Sequence, residues 1–193
     1  ELFNHLTLHR KRRMKKHGRK VKRTLIPDRI GIEERSPAIL LRKEYGHGET
    51  DLMESIRSDK KVVSITVERK TRYAKFSLLE KKTARAKAKA VRKDLKSLSL
   101  KTMTTDNGVE NTSHRNWKLK TYFTTPYHSW EKGTVENTIG RLRRYLPKHK
   151  SLTTLTKEDL RYIEWEMNST PRKCLHFLTP REALTRELKN TII

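Results

Sequence analysis

Acidic residues, cysteine and long apolar runs are all scarce in this chain. Only 22 Asp and Glu stand against 46 Lys and Arg in 193 residues, which leaves a net charge of +24. A folded protein carries such an excess where a polyanion compensates it. The single cysteine, Cys174, excludes an internal disulfide and a thiolate zinc cluster and fits a reducing compartment, so a metal would have oxygen ligands. No stretch approaches the roughly 18 apolar residues of a spanning helix, and no signal peptide with an apolar middle opens the chain. Nucleic acid, rather than a membrane, is the expected partner, and the cytoplasm, in association with the nucleoid, the expected place.

What is abundant is positive charge, and it is concentrated. The run RKRRMKKHGRKVKR at 10–23 contains no acidic residue, so mutual repulsion disfavours a compact local fold without a bound anion. Arg10, Lys11, Arg12, Arg13, Lys15 and Lys16 are read as an arm that neutralises phosphates without reading base sequence. The length allows one packed domain plus an extension. Residues 1–46 are accordingly expected to form the basic arm and a linker, and 47–193 the folded domain with its C-terminal helices. The chain opens at Glu1 rather than Met and reads as a piece of a longer one, any separate DNA-reading part lying outside it.

Within the domain, alternating and β-branched residues predict strands at 51–53, 62–67 and 73–79, a meander. Thr83 is placed to cap a helix whose inner stripe is Ala84, Ala88, Val91, Leu95 and Leu98. A strand at 101–105 ends at the turn Asp106-Asn107-Gly108, a short helix follows, and 121–125 reads as a fifth strand. A helix striped by Val135, Ile139, Leu142 and Leu146 is stopped by Pro147; another starts at Thr156 with Asp159 as its box partner, and a last one starts at Pro180.

Acids are informative where they are rare. Phosphodiester cleavage and joining require an in-line attack that divalent ions held by hard oxygen ligands can assist, which suits magnesium or manganese. Asp51 and Asp106 sit at or beside predicted strands, and Glu136 lies near a helix start. Each also has a plainer reading, as an edge-strand charge, a turn former and a macrodipole partner respectively.

The stretches TTDNG at 104–108 and PYHSWEKGTVENTIGRLRRYLPK at 126–148, read together, resemble the integrase-like core of bacterial insertion-sequence transposases of the IS-thirty family. HGETD at 47–51, VERKTRY at 67–73 and NSTPRKCLHFLTPREAL at 168–184 are similar to further segments of that family, so the resemblance covers residues 25–188. It implies an α/β, ribonuclease-H-like fold, here a mixed five-stranded sheet flanked by helices. It also implies a DDE triad of Asp51, Asp106 and Glu136 holding two Mg2+ or Mn2+ ions. The implied reaction is strand cleavage at insertion-sequence ends, followed by attack of the freed hydroxyl on target DNA, carried out by homo-oligomers that pair two ends. Two departures stand out. Gly48-Glu49-Thr50 precedes Asp51 where the family usually has Trp-Glu-Gly, and 109–120 is about one helical turn short, which predicts a shortened helix rather than a displaced Glu136. A catalytically decayed copy and a purely nucleic-acid-binding basic protein are the competing readings.

Arg143 falls two helical turns after Glu136 on the same face, within reach of a phosphate, with Arg144 and Lys148 as weaker backbone contacts. Tyr127 and Trp130 either stack on an unpaired base or cover the helix start. Glu110 and Glu49 are the acids able to replace triad members, and strand alternation puts Glu49 on the face of Asp51.

Overall fold

A computed structural model of the chain describes residues 26–126 and 128–191. Its centre is β3, Val62–Glu68, which is buried along its whole length. Val63, Ile65 and Val67 face one side, and Val62, Ser64 and Thr66 the other, because side chains alternate across a strand. β2 (His47–Met53) and β4 (Ala74–Leu79) flank it antiparallel, completing the expected meander. β5 (Thr102–Thr105) runs parallel to β2 on its other side, and β6 (Lys120–Phe123) lies parallel to β5.

The sheet has six strands rather than the expected five. Ile30–Gly31, within the segment read as linker, forms β1 and pairs parallel with Tyr122 and Phe123 at the outer edge of β6. Two residues joined to a partner so distant in sequence leave no local pattern to read. The connection from β5 to β6 also differs from the expected helix. It is two short 3-10 turns, Val109–Asn111 and His114–Trp117.

Helices cover both faces. α2, Ala84–Leu98, starts as predicted at Thr83, whose hydroxyl accepts from the Ala86 amide at 3.2 Å. It buries Ala88, Val91 and Leu98 with Leu100, Met103 and Trp117. On the opposite face, α3 (Gly133–Leu142) and α4 (Lys157–Ser169) pack Val135, Leu142, Leu160, Ile163 and Met167 against Met53, Val63, Ile65 and Val67. α4 begins with the predicted capping box between Thr156 and Asp159. A one-turn helix, α1 (Pro37–Leu40), buries Ile39, and α5 (Pro180–Thr191) closes the fold, with Leu184 in the α2-side core. Among the described residues no helix is long and apolar enough to cross a membrane.

α4 also covers the sheet's open edge. The Asn168 side chain accepts from the Ala74 amide at 3.0 Å and donates to the Ala74 carbonyl at 2.8 Å, as a neighbouring strand would. Glu164 accepts from the Phe76 amide at 2.7 Å. The free hydrogen-bonding groups of an edge strand are thereby satisfied by side chains.

Two charged residues of α2 point inward, and one supplies a test of the packing. Asp94, 1 % exposed, accepts from the Thr66 hydroxyl at 2.8 Å, yet burial pushes its carboxyl up to about 6 from 3.8. A raised folded-state value means that the native state holds the proton more tightly than the unfolded one, so this group's contribution to stability is greatest below pH 4 and is lost as pH rises through 6. Asp94→Asn, which never ionises, is expected to match the parent near pH 4 and to exceed it by up to ~3 kcal/mol above pH 6. Urea unfolding at the two pH values measures this; equal stabilities at pH 7 would contradict it.

Candidate active site

Pairing in the sheet brings two of the three singled-out acids together. β2 and β5 align Glu49 with Thr104. Continuing that register by two residues sets Asp51 beside Asp106, at the end of β2 and just past the end of β5. Their carboxylates share one cation. The ammonium of Lys132 donates to Asp51 Oδ2 at 2.8 Å and to Asp106 Oδ2 at 3.2 Å. Burial opposes the Lys132 charge, but Asp51 and then Asp106 outweigh it and raise its pKa. The Lys132 side chain is 7 % exposed, against 38 % for Asp106, so the cation lies beneath and the acids open outward.

The other carboxylate oxygens are fixed by short local bonds. Asp51 Oδ1 accepts from the Leu52 amide at 2.7 Å. Asp106 Oδ1 accepts from Asn111 Nδ2 at 2.8 Å and from the Gly108 amide at 3.2 Å, so the turn after β5 orients the acid. Under this floor lies Lys87 of α2. It is fully buried and donates to the Thr50 hydroxyl, the Asp51 carbonyl and Ser64 at 2.7, 2.9 and 3.2 Å.

Glu136 approaches from α3, which Glu49 positions. Glu49, 0 % exposed, accepts from the Thr134 and Val135 amides at 2.9 and 2.8 Å, placing a carboxylate at the positive end of the helix. It also accepts from Arg69 Nε at 2.8 Å, and Arg69 in turn binds the Ile39 carbonyl. Glu49 does face the α3 side, as Asp51 does, but it anchors the helix and does not join the open pair. Burial raises the Glu136 pKa; Lys132 opposes the rise, and Asp51 and Glu49 add to it. Glu136 therefore feels the Asp51 charge. Even so, among the described residues no three His, Cys, Asp or Glu side chains converge closely enough to cage a metal ion by themselves.

The remaining candidates divide. Arg143 follows α3 directly, and its guanidinium binds the Glu54 and Leu146 carbonyls, tying the helix end to the segment after β2. Arg144 and Lys148 are exposed. Trp130 is 69 % exposed and stacks on His128 at 4.4 Å between ring centres, so it does not cover the helix start. Glu110 is buried and lies 3.6 Å from Lys82. Tyr127 and the arm residues Arg10, Lys11, Arg12, Arg13, Lys15 and Lys16 lie outside the described residues. Sequence reading missed Lys132, although it stands four residues before Glu136, because one more lysine is inconspicuous in so basic a chain. Lys87 was assigned to no face for the same reason.

No family model matches the chain. Curated relatives do. The transposase of insertion sequence IS4351 from Bacteroides fragilis is 36% identical over 94% of this chain and 57% of its own length. The transposase InsI of IS30A from Escherichia coli K12 is 33% identical over 96% of the chain and 52% of its own length, and the IS1086 transposase of Cupriavidus metallidurans 34% over 88% and 52%. The chain spans about half the length of the curated relatives it matches. Over nearly its whole length, then, this chain is a relative of the IS30-family and kindred insertion-sequence transposases.

Proposed function

We propose that the chain is the catalytic core of a DDE transposase, cutting and joining DNA strands at insertion-sequence ends. On this reading the six-stranded sheet is a ribonuclease-H-like core, the basic run at 10–23 adds phosphate contacts, and the protein works as a DNA-bound homo-oligomer in the nucleoid. The observation that carries the reading is the Asp51–Asp106 pair sharing one cation at the ends of the neighbouring central strands β2 and β5. Two outward carboxylates with all-oxygen donors, already matched to a positive charge, fit Mg2+ or Mn2+.

Asp51, Asp106 and Glu136 would hold two such ions, which when bound supply activation of the attacking oxygen and charge stabilisation on the leaving one. The chain's own residues prepare that place. Leu52, Gly108 and Asn111 fix one oxygen of each aspartate and leave the other for the cation. Glu49 holds the start of α3 and with it the approach of Glu136. Lys132 holds the two aspartates together through one ammonium, which would be available to a DNA phosphate where a metal took its place between them. Trp130, held in the open against His128, suits an unpaired base beside the cut.

The direct test is thermal unfolding with and without divalent metal. An ion that binds only the folded state raises the melting temperature, by ~2.7 kcal/mol of stabilisation at a hundred times its dissociation constant. Mn2+ is expected to raise the melting point of the parent and to leave Asp106→Asn unmoved. No rise in the parent at millimolar Mn2+ would remove the metal site from the proposal.

A further inference from the structure

On the other flank of α3 lies a cavity of about 400 Å³, bounded by α3, α4 and the segment after α4. Arg42, Arg72, Arg141, Arg172 and Lys173 line it, together with Asn137, and no acidic residue does. None of the five cations forms an ion pair among the described residues. Three of their nitrogens, Arg72 Nε, Arg141 Nε and Arg172 Nη1, are buried with no acceptor at all. A buried guanidinium N–H left unpaired is costly, and three of them among the residues around one cavity depart strongly from the rule that buried donors are satisfied. Burial, and after it the neighbouring positive charge of Arg42, lowers the Arg72 pKa; burial and then Arg144 act likewise on Arg141. The site is destabilised as it stands and would be relieved by an anion.

We infer that this cavity is a second phosphate-binding site, which takes a phosphate oxyanion from a DNA backbone at a point other than the one being cut, or from solution as the free ion. Guanidinium forks match the paired oxygens of a phosphate. The geometry also separates this pocket from the carboxylates. At 3.6 residues per turn, Arg141 lies roughly 140° around α3 from Glu136. A DNA strand seated here would grip α3 from behind while its neighbouring strand meets the acids. The inference rests on the transposase reading only for the identity of the polyanion.

The experiment compares the full chain with Arg141→Gln and, as a control for the loss of one charge, Lys93→Gln on the exposed face of α2, all without divalent metal so that the outcome is independent of the carboxylate site. Affinity for a short duplex is measured across a salt series, and melting temperature is measured with added inorganic phosphate. Each backbone contact contributes about 0.9 to the slope of log affinity against log salt. Arg141→Gln is expected to flatten that slope by about 0.9 while Lys93→Gln leaves it near the parent value, which assigns the site to DNA. An unchanged slope with phosphate raising the melting point of the parent but not of Arg141→Gln assigns it to the free ion. Equal slopes in both variants with no phosphate-dependent shift would overturn the inference. Arg141→Gln should melt no lower than the parent, since the arginine has no acceptor to lose.

Discussion

Asp106→Asn and Asp51→Asn should each lower metal-dependent DNA cleavage by about a hundredfold to a thousandfold or more, the scale on which one preorganised charge acts in a transition state, while duplex affinity stays within about twofold. The two effects separate because they have different physical origins. Affinity for DNA would come from the many Lys and Arg available to neutralise phosphates, and neither substitution removes one. Cleavage, on the proposed reading, depends on two carboxylates at the ends of two neighbouring central strands, each with a single oxygen left for a cation. The Asn side chain keeps the size and the local hydrogen bonds but lacks the charge. The measurement is strand scission on duplex DNA carrying insertion-sequence ends, at saturating protein, alongside a binding titration. Parent-like scission by either variant would sink the metal assignment; a parallel loss of binding would point to misfolding instead.

Glu49→Ala should destabilise the fold by about 3–5 kcal/mol, the usual result of leaving one member of a buried ion pair alone. Arg69 would lose its carboxylate, and Arg35, buried nearby and already disfavoured by desolvation and by Arg69, would lose a compensating charge. The first amides of α3 would lose their acceptor as well. Glu49→Gln should fall between the two, because its amide can accept from the helix but presents a donor where a second oxygen stood. Urea unfolding gives the stability change, and cleavage at a temperature where both variants remain folded reads the displacement of Glu136. A stability loss below 1 kcal/mol for Glu49→Ala would mean that the helix start is held elsewhere.

How far the sequence could be read follows from where the signal is local. Thr83 and Thr156 mark helix starts through bonds made within three residues, and β3 shows its strand in β-branched residues, so these elements were legible. β2 was recognised only at its end, because His47, Glu49 and Thr50 are buried polar residues whose partners lie on other elements, and such residues mimic a loop in composition. β1 was invisible because its only strand signal is pairing with β6. Asp51 and Asp106 could be named from motif, and the sheet register explains why they meet. Lys132 between them could not, since nothing in its own neighbourhood distinguishes a lysine that bridges two aspartates from one in solvent. Trp130 was ambiguous between cover and contact, and its exposure settles the first of these.

The side chains of α4 that satisfy β4 have a bearing on assembly. With Asn168 and Glu164 occupying one border of the sheet, and with the other ending in a two-residue strand, neither border offers a run of free amides among the described residues for a second copy to extend. Copies that assembled on DNA as proposed would therefore meet through helices, loops or the nucleic acid itself, and could part again without unzipping a continuous sheet. If positive charge gathers copies onto one polyanion, as proposed, these blocked borders keep them from polymerising along it.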